Sequence, residues 1–235
     1  MTREIIFVAG AGEQLNSSMV PYRLTRPAHR RDDKLTILRY DNSIGPVNNT
    51  APADWATGLD HALRDGEAEL AAHIRRTPYV PVLVGYSLGA YVISSFLERM
   101  ALGAYRGLEV AEAVLIANPR AGEEVGRKGI AGAHGRFPAG LPVVGISNYH
   151  DIVCRTPVSS ALRKLPGLVS ATTADPQDWG SLDNWLAWLA GVFVENNVAP
   201  TVADIALARG YFTGAHTSAY FDDLVLRNAV VKALR

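Results

Sequence analysis

Ser87 sits in Gly85-Tyr86-Ser87-Leu88-Gly89, behind the apolar run Val82-Leu83-Val84 and ahead of a long amphipathic stretch. Gly-x-Ser-x-Gly between a strand and a helix predicts a sharp turn that lifts a serine hydroxyl clear of the backbone. Both glycines have a physical reason to be there, because the serine backbone is strained and a Cβ on either side crowds the turn. A serine hydroxyl is a weak nucleophile until a histidine within hydrogen-bond reach takes its proton. That histidine in turn needs a carboxylate to fix its tautomer and stabilise its charged form.

In a strand-turn-helix arrangement of this kind the partners follow the serine in the order Asp or Glu, then His. Six histidines are present, at 29, 61, 73, 134, 150 and 216. His29, His61 and His73 precede Ser87 and read as solvated or partly buried side chains. His134 lies in a glycine-rich stretch with no carboxylate pattern beside it, and His150 abuts Asp151. His216, in Gly214-Ala215-His216 ahead of the last amphipathic segment, is therefore the expected base. Asp151 is the expected acid, since it follows the apolar strand 142–147 directly through Asn148-Tyr149-His150. Asp175, Asp178 and Asp183 belong to a later Trp-rich segment, and Asp204 reads as the fourth residue of a capping box opened by Thr201.

A developing oxyanion needs two donors. One is expected from the backbone N–H of Leu88, the residue after the nucleophile. The other is expected from the loop after the first strand, Gly10-Ala11-Gly12-Glu13, through Ala11 or Gly12. That loop is not a dinucleotide fingerprint, because Leu15 stands where the third glycine belongs and no acid closes the next strand.

Four blocks occur together here: Gly85-Tyr86-Ser87 with Gly89, Asn118-Pro119-Arg120, Asp151-Ile152-Val153-Cys154 through Pro157, and Gly214-Ala215-His216 with Tyr220 close behind. In this combination the chain resembles the cutinase-like hydrolases. It looks most like their lysin B branch, the mycolyl-arabinogalactan esterases of phages, and is similar also to PE-PPE serine hydrolase domains. The resemblance implies an α/β-hydrolase fold of cutinase-like type and a Ser87–Asp151–His216 triad. It also implies hydrolysis of a lipid ester of a cell-wall glycolipid during host lysis, without metal or organic cofactor. Two departures stand out. Leu88 occupies the position of the cutinase glutamine, which leaves only a backbone donor there, and Cys154 has no second cysteine to pair with. The long interval between Asp151 and His216 suits the lysin B pattern, which carries a helical linker at that point. An intracellular lipase or thioesterase, and a non-catalytic wall-binding module on the same scaffold, are the alternative readings.

The elements that must position these residues alternate in type. Strands are expected at 4–9, 35–40, 79–85, 110–117 and 142–147, the first and third nearly all apolar as in strands covered on both faces. Helices are expected at 54–76, with Asp54 as N-cap, at 88–102, at 200–209 and along the final segment 217–234. The stretch 121–140 holds six glycines without periodicity and reads as a long surface loop of the functional or mobile kind. Alternation of this sort predicts a doubly wound, mostly parallel sheet with the chemistry at the carboxyl ends of its strands.

A single domain over 1–235 is expected, with a helical linker or lid at about 156–212 between the acid and the base. That insertion concentrates Trp179, Trp185 and Trp188 among leucines. Two readings of it stand: a helix burying a small core of its own, or a lid or acyl-chain groove above Ser87 in which the tryptophans bind substrate. Equal numbers of basic and acidic residues, 23 each, give no electrostatic footprint for nucleic acid. No apolar run is long enough for a membrane span, and no signal peptide is evident, since Ile5 to Ala9 is too short for an h-region. Synthesis in the cytoplasm and action on the host envelope after release is the corresponding expectation; oligomeric state is not legible.

Overall fold

The computed structural model describes residues 3–44, 58–169 and 200–234, together with Gly191 and Val194. Among these residues the strands are β1 (Glu4–Val8), β2 (Lys34–Ile37), β3 (Val82–Tyr86), β4 (Glu112–Ile116), β5 (Arg127–Lys128), β6 (Val143–Ile146) and β7 (Thr156–Pro157). Five of them form one parallel sheet in the order β2-β1-β3-β4-β6. Every residue of β1 and β3 is buried, as befits nearly all-apolar strands with helices on both faces, Glu4 at the start of β1 being the charged exception.

The strand order explains where a site can form. From β1 the chain moves to one side to make β2, then crosses back over β1 to make β3. Right-handed crossovers in opposite directions put their helices on opposite faces of the sheet. A crevice therefore opens between the carboxyl ends of β1 and β3, the switch point at which α/β sheets bind ligands. The loop 10–13 leaves β1 there, and Ser87 leaves β3 there.

The helices are α1 (Val20–Thr25), α2 (Leu59–Arg76), α3 (Leu88–Ala101), α4 (Leu165–Val169), α5 (Val202–Gly210), α6 (Ala219–Asp222) and α7 (Leu224–Ala233). Helices α2 and α3 pack against each other, while α7 packs against α1, β4 and β6. Phe7, Phe96, Ile93, Leu83, Ile116 and Tyr220 are fully buried in the resulting core.

Several expectations are corrected. Helix α2 begins at Leu59 with Gly58 as its N-cap, later than position 54; Asp54 itself lies outside the described residues. The final segment is two helices rather than one, because Asp223 leaves helical geometry and its side chain caps α7 through Val225 and Leu226 N–H at 2.7 and 3.2 Å. Helix α1 had no sequence expectation. The stretch 121–140 is laced down rather than loose: β5 pairs with β7, Ile130 N–H reaches the Val153 carbonyl, and His134 N–H reaches that of Arg120.

The described ends of the 156–212 segment meet in a second small core. Leu162 and Leu165 pack with Leu207, Ala208 and Ile152, and the Thr201–Asp204 capping box starts α5 as its sequence proposed. Trp179, Trp185 and Trp188 lie outside the described residues.

Candidate active site

Ser87 directly follows β3 and caps α3 at φ 53° and ψ −117°. A positive φ is strained for a residue with a Cβ, and the neighbouring glycines are what make it attainable. An ideal Cβ on Gly89 would lie 2.1 Å from the Val8 carbonyl oxygen, and one on Gly85 would lie 2.6 Å from the Gly89 carbonyl carbon and oxygen. Only glycine lets α3 start this close to β1. The Ser87 N–H still bonds the Ile116 carbonyl at 2.9 Å, so the turn stays stitched to the sheet.

Asp151 follows β6 through a turn that Asn148 holds, its Oδ1 accepting the His150 N–H at 3.1 Å and its carbonyl accepting the Asp151 N–H at 3.1 Å. His216 stands in the turn between α5 and α6, where Gly214 adopts φ 100° and allows the chain to reverse. The Asn148 side chain ties the two loops together by donating to the Ala215 carbonyl at 2.8 Å.

Ser87, His216 and Asp151 come together in a continuous hydrogen-bonded line. His216 Nε2 is 2.8 Å from Ser87 Oγ, and Nδ1 is 2.8 Å from Asp151 Oδ2. With Nδ1 donating to the carboxylate, Nε2 is left to accept the serine proton. Asp151 is wholly buried and His216 nearly so, while Ser87 keeps partial access to solvent.

Side chains with no sequence expectation fix the imidazole. Tyr86 stacks on it with ring centroids 5.1 Å apart, and Tyr211 stacks on it at 5.0 Å. The Tyr86 hydroxyl donates to the His216 carbonyl. Burial pushes that hydroxyl well above the ordinary phenol range, so it remains a donor. Cys154 is buried with its sulfur 3.4 Å from Asp151 Oδ2. Burial, and then the Asp151 charge, hold the thiol protonated and hence unreactive.

No side chain caps the N-terminus of α3, so the Leu88 N–H is available in its first turn. Gly12, expected as an oxyanion donor, is corrected: its N–H donates to the Asn42 carbonyl at 3.0 Å. The Ala11 N–H has no such partner among the described residues. The loop is clamped from two sides. The Glu13 carboxylate accepts the N–H groups of Gly10 at 2.5 Å and Val20 at 2.6 Å. The Asn42 side chain donates to the carbonyls of Gly10 at 2.8 Å and Glu13 at 2.9 Å. Burial raises Glu13 above the usual carboxylate range, an effect that the two N–H bonds and nearby His216 oppose without cancelling.

The Asn118-Pro119-Arg120 block is structural. Asn118 bonds Ser94 on α3 at 2.7 Å and accepts the Arg120 N–H at 3.0 Å, while Arg120 pairs with Glu98 at 3.2 Å. The loop 121–140 is thereby anchored to the helix behind the serine. Among the described residues no group of three His, Cys, Asp or Glu has the geometry of a metal site, and no helix is long and apolar enough to cross a membrane.

No protein-family model and no curated protein matches the chain. Among solved structures it is similar to lysin B from Mycobacteriophage D29, at 12% identity over 99% of this chain and 88% of that one, with a TM-score of 0.49. It is also similar to the catalytic core domain of acetyl xylan esterase from Trichoderma reesei, at 17% identity over 81% and 98% of the two chains, TM-score 0.48. A cutinase-like protein from Cryptococcus sp. aligns at 19% identity over 66% and 80%, TM-score 0.40.

Proposed function

We propose that this chain is a serine esterase that forms an acyl-enzyme on Ser87. The observation that carries the reading is the line Asp151–His216–Ser87, with 2.8 Å at each step. Ser87 Oγ attacks the ester carbonyl carbon while its proton passes to His216 Nε2. The carbonyl oxygen takes the negative charge between the N–H groups of Leu88 and Ala11. As the intermediate collapses, the C–O bond to the alcohol breaks and His216 returns the proton to the leaving oxygen. Water then repeats the sequence on the acyl-enzyme, with His216 as base, and frees the acid and Ser87.

Within that class the substrate proposed is a lipid ester of a cell-wall glycolipid, of the mycolate–arabinogalactan type, cleaved during phage-mediated lysis. The four sequence blocks shared with the lysin B pattern support it. So does the apolar character of the turn carrying the base: Tyr211 and Phe212 are part exposed and in edge-to-face contact, and Tyr211 lies on His216 itself. An acyl chain bound beside Ser87 requires apolar surface of this kind.

Ser87→Ala is expected to lower turnover of a chromogenic acyl ester by on the order of 10⁶-fold with an unchanged far-UV circular dichroism spectrum. A variant retaining more than a few per cent of the rate would remove the triad. Free fatty acid released from isolated mycolate-bearing walls, at a kcat/KM above that for a soluble thioester, is expected of the finer assignment. The reverse preference would favour an intracellular thioesterase instead.

A further inference from the structure

We infer that Tyr220 is a positioning residue for this reaction, aligning Asp151 with His216 through a hydrogen bond from its hydroxyl to Asp151 Oδ2. The inference rests on the esterase reading and names a residue that the triad chemistry does not itself require.

The carboxylate of Asp151 is held at both oxygens. Oδ1 accepts the Val153 N–H at 2.9 Å, and Oδ2 accepts from His216 Nδ1 at 2.8 Å, from the Tyr220 hydroxyl at 3.0 Å and from the Cys154 thiol at 3.4 Å. Val153 fixes one end, and at the other end the Cys154 thiol, 3.4 Å from Oδ2, is a weak donor. The phenol, at 3.0 Å and a stronger donor than a thiol, supplies the firm second anchor on the oxygen that must face the imidazole.

Tyr220 is itself immobilised. It is fully buried and meets Tyr86 edge-on at 6.3 Å. Its oxygen accepts the Asn148 N–H at 3.0 Å. A hydroxyl carries one proton, so with Asn148 on its acceptor side that proton is left for Asp151 or for the Cys154 sulfur at 3.4 Å. The carboxylate is the stronger acceptor. Burial, together with the neighbouring Cys154 and Asp151, keeps the phenol protonated and therefore a donor. Tyr220 stands one turn after His216, so the same short segment delivers the base and the brace for its acid.

The test uses the full chain with Tyr220→Phe, which deletes one buried oxygen and keeps the ring. Expected is a fall in kcat of about 10- to 100-fold, the range for losing a hydrogen bond to a charged group, with KM within about twofold. In an Asp151→Asn background the same change is expected to cost nothing further, because Tyr220 acts through that carboxylate. An equal loss in both backgrounds, or a wild-type kcat in Y220F, overturns the inference. Should Y220F fail to fold, 4-aminophenylalanine at position 220 keeps the ring and a donor. It is expected to hold kcat within about fivefold of wild type, and a loss of about 100-fold in a folded protein overturns the inference. Wild-type protein that neither hydrolyses esters nor is labelled at Ser87 by a fluorophosphonate removes the esterase reading. Active wild type with an unaffected Y220F removes only the role of Tyr220.

Discussion

Tyr86 and His216 are 130 positions apart in the chain and are joined twice, by a ring stack at 5.1 Å and by a hydrogen bond from the phenol to the histidine carbonyl. The residue before the nucleophile therefore fixes both the plane of the base and the height of its backbone. Tyr86→Phe keeps the stack and leaves a buried carbonyl without its donor. A loss of about 1–2 kcal/mol in stability is expected, read as a lower urea midpoint. A fall of about tenfold in kcat should accompany it, with KM little changed. Unchanged kcat in a destabilised variant would confine Tyr86 to a packing role.

What could be read from the sequence is what local backbone geometry writes into it. Gly85 and Gly89 announce the turn around Ser87 because no Cβ fits at either place. Asp151 follows from its place just after a strand, and His216 from standing late in the chain, in a loop ahead of the last amphipathic segment. What could not be read is set by contacts between distant segments. The Tyr86 and Tyr211 stacks, the Tyr220 brace and the turning of Gly12 N–H toward Asn42 leave no periodic trace. Helix α1 is six residues long with no side-chain cap, and Pro21 in its first turn was the one available signal. Strands β5 and β7, at two residues each, are too short to show alternation.

Gly89 carries a prediction about stability rather than chemistry. An added methyl group would stand 2.1 Å from the Val8 carbonyl oxygen and 2.5 Å from that of Ala9. These are backbone atoms of a central strand and cannot give way as a flexible side chain does. Gly89→Ala is expected to cost more than about 3 kcal/mol, at or beyond the upper end for overpacking. Chemical denaturation would read this as a collapsed midpoint or as failure to recover soluble protein. A native midpoint would mean that α3 can move away from β1.

Glu4, at the opposite end of the sheet from the triad, predicts the acid behaviour of the fold. Its side chain is fully buried; burial alone would raise its pKa, but bonds from Thr36, Thr77, His73 and Lys34 outweigh that and hold it at about 2. The unfolded chain takes up the proton near 4.5. The folded state is therefore favoured by this group above pH 4.5, and the contribution disappears as pH falls from about 4.5 to about 2. Glu4→Gln should flatten the fall in urea midpoint across that window relative to wild type. Parallel curves for the two proteins would show that other carboxylates govern acid unfolding.

Asn42 links the second strand's exit to the loop that faces Ser87. Its side chain donates to the carbonyls of Gly10 and Glu13, and its own carbonyl accepts the Gly12 N–H. Three bonds from one residue set the path of the loop and leave the N–H of Ala11, the proposed oxyanion donor, without a partner among the described residues. Asn42→Ala removes the two side-chain bonds while keeping the main-chain one. Deleting an oxyanion donor outright costs about 10²–10³ in kcat, so loosening its support is expected to cost about 10- to 100-fold. Because the donor matters most once charge has developed on the carbonyl oxygen, KM for a neutral ester should hold while kcat falls. A rise in KM at constant kcat would instead mean that the loop binds the ground-state ester and that the oxyanion is held elsewhere.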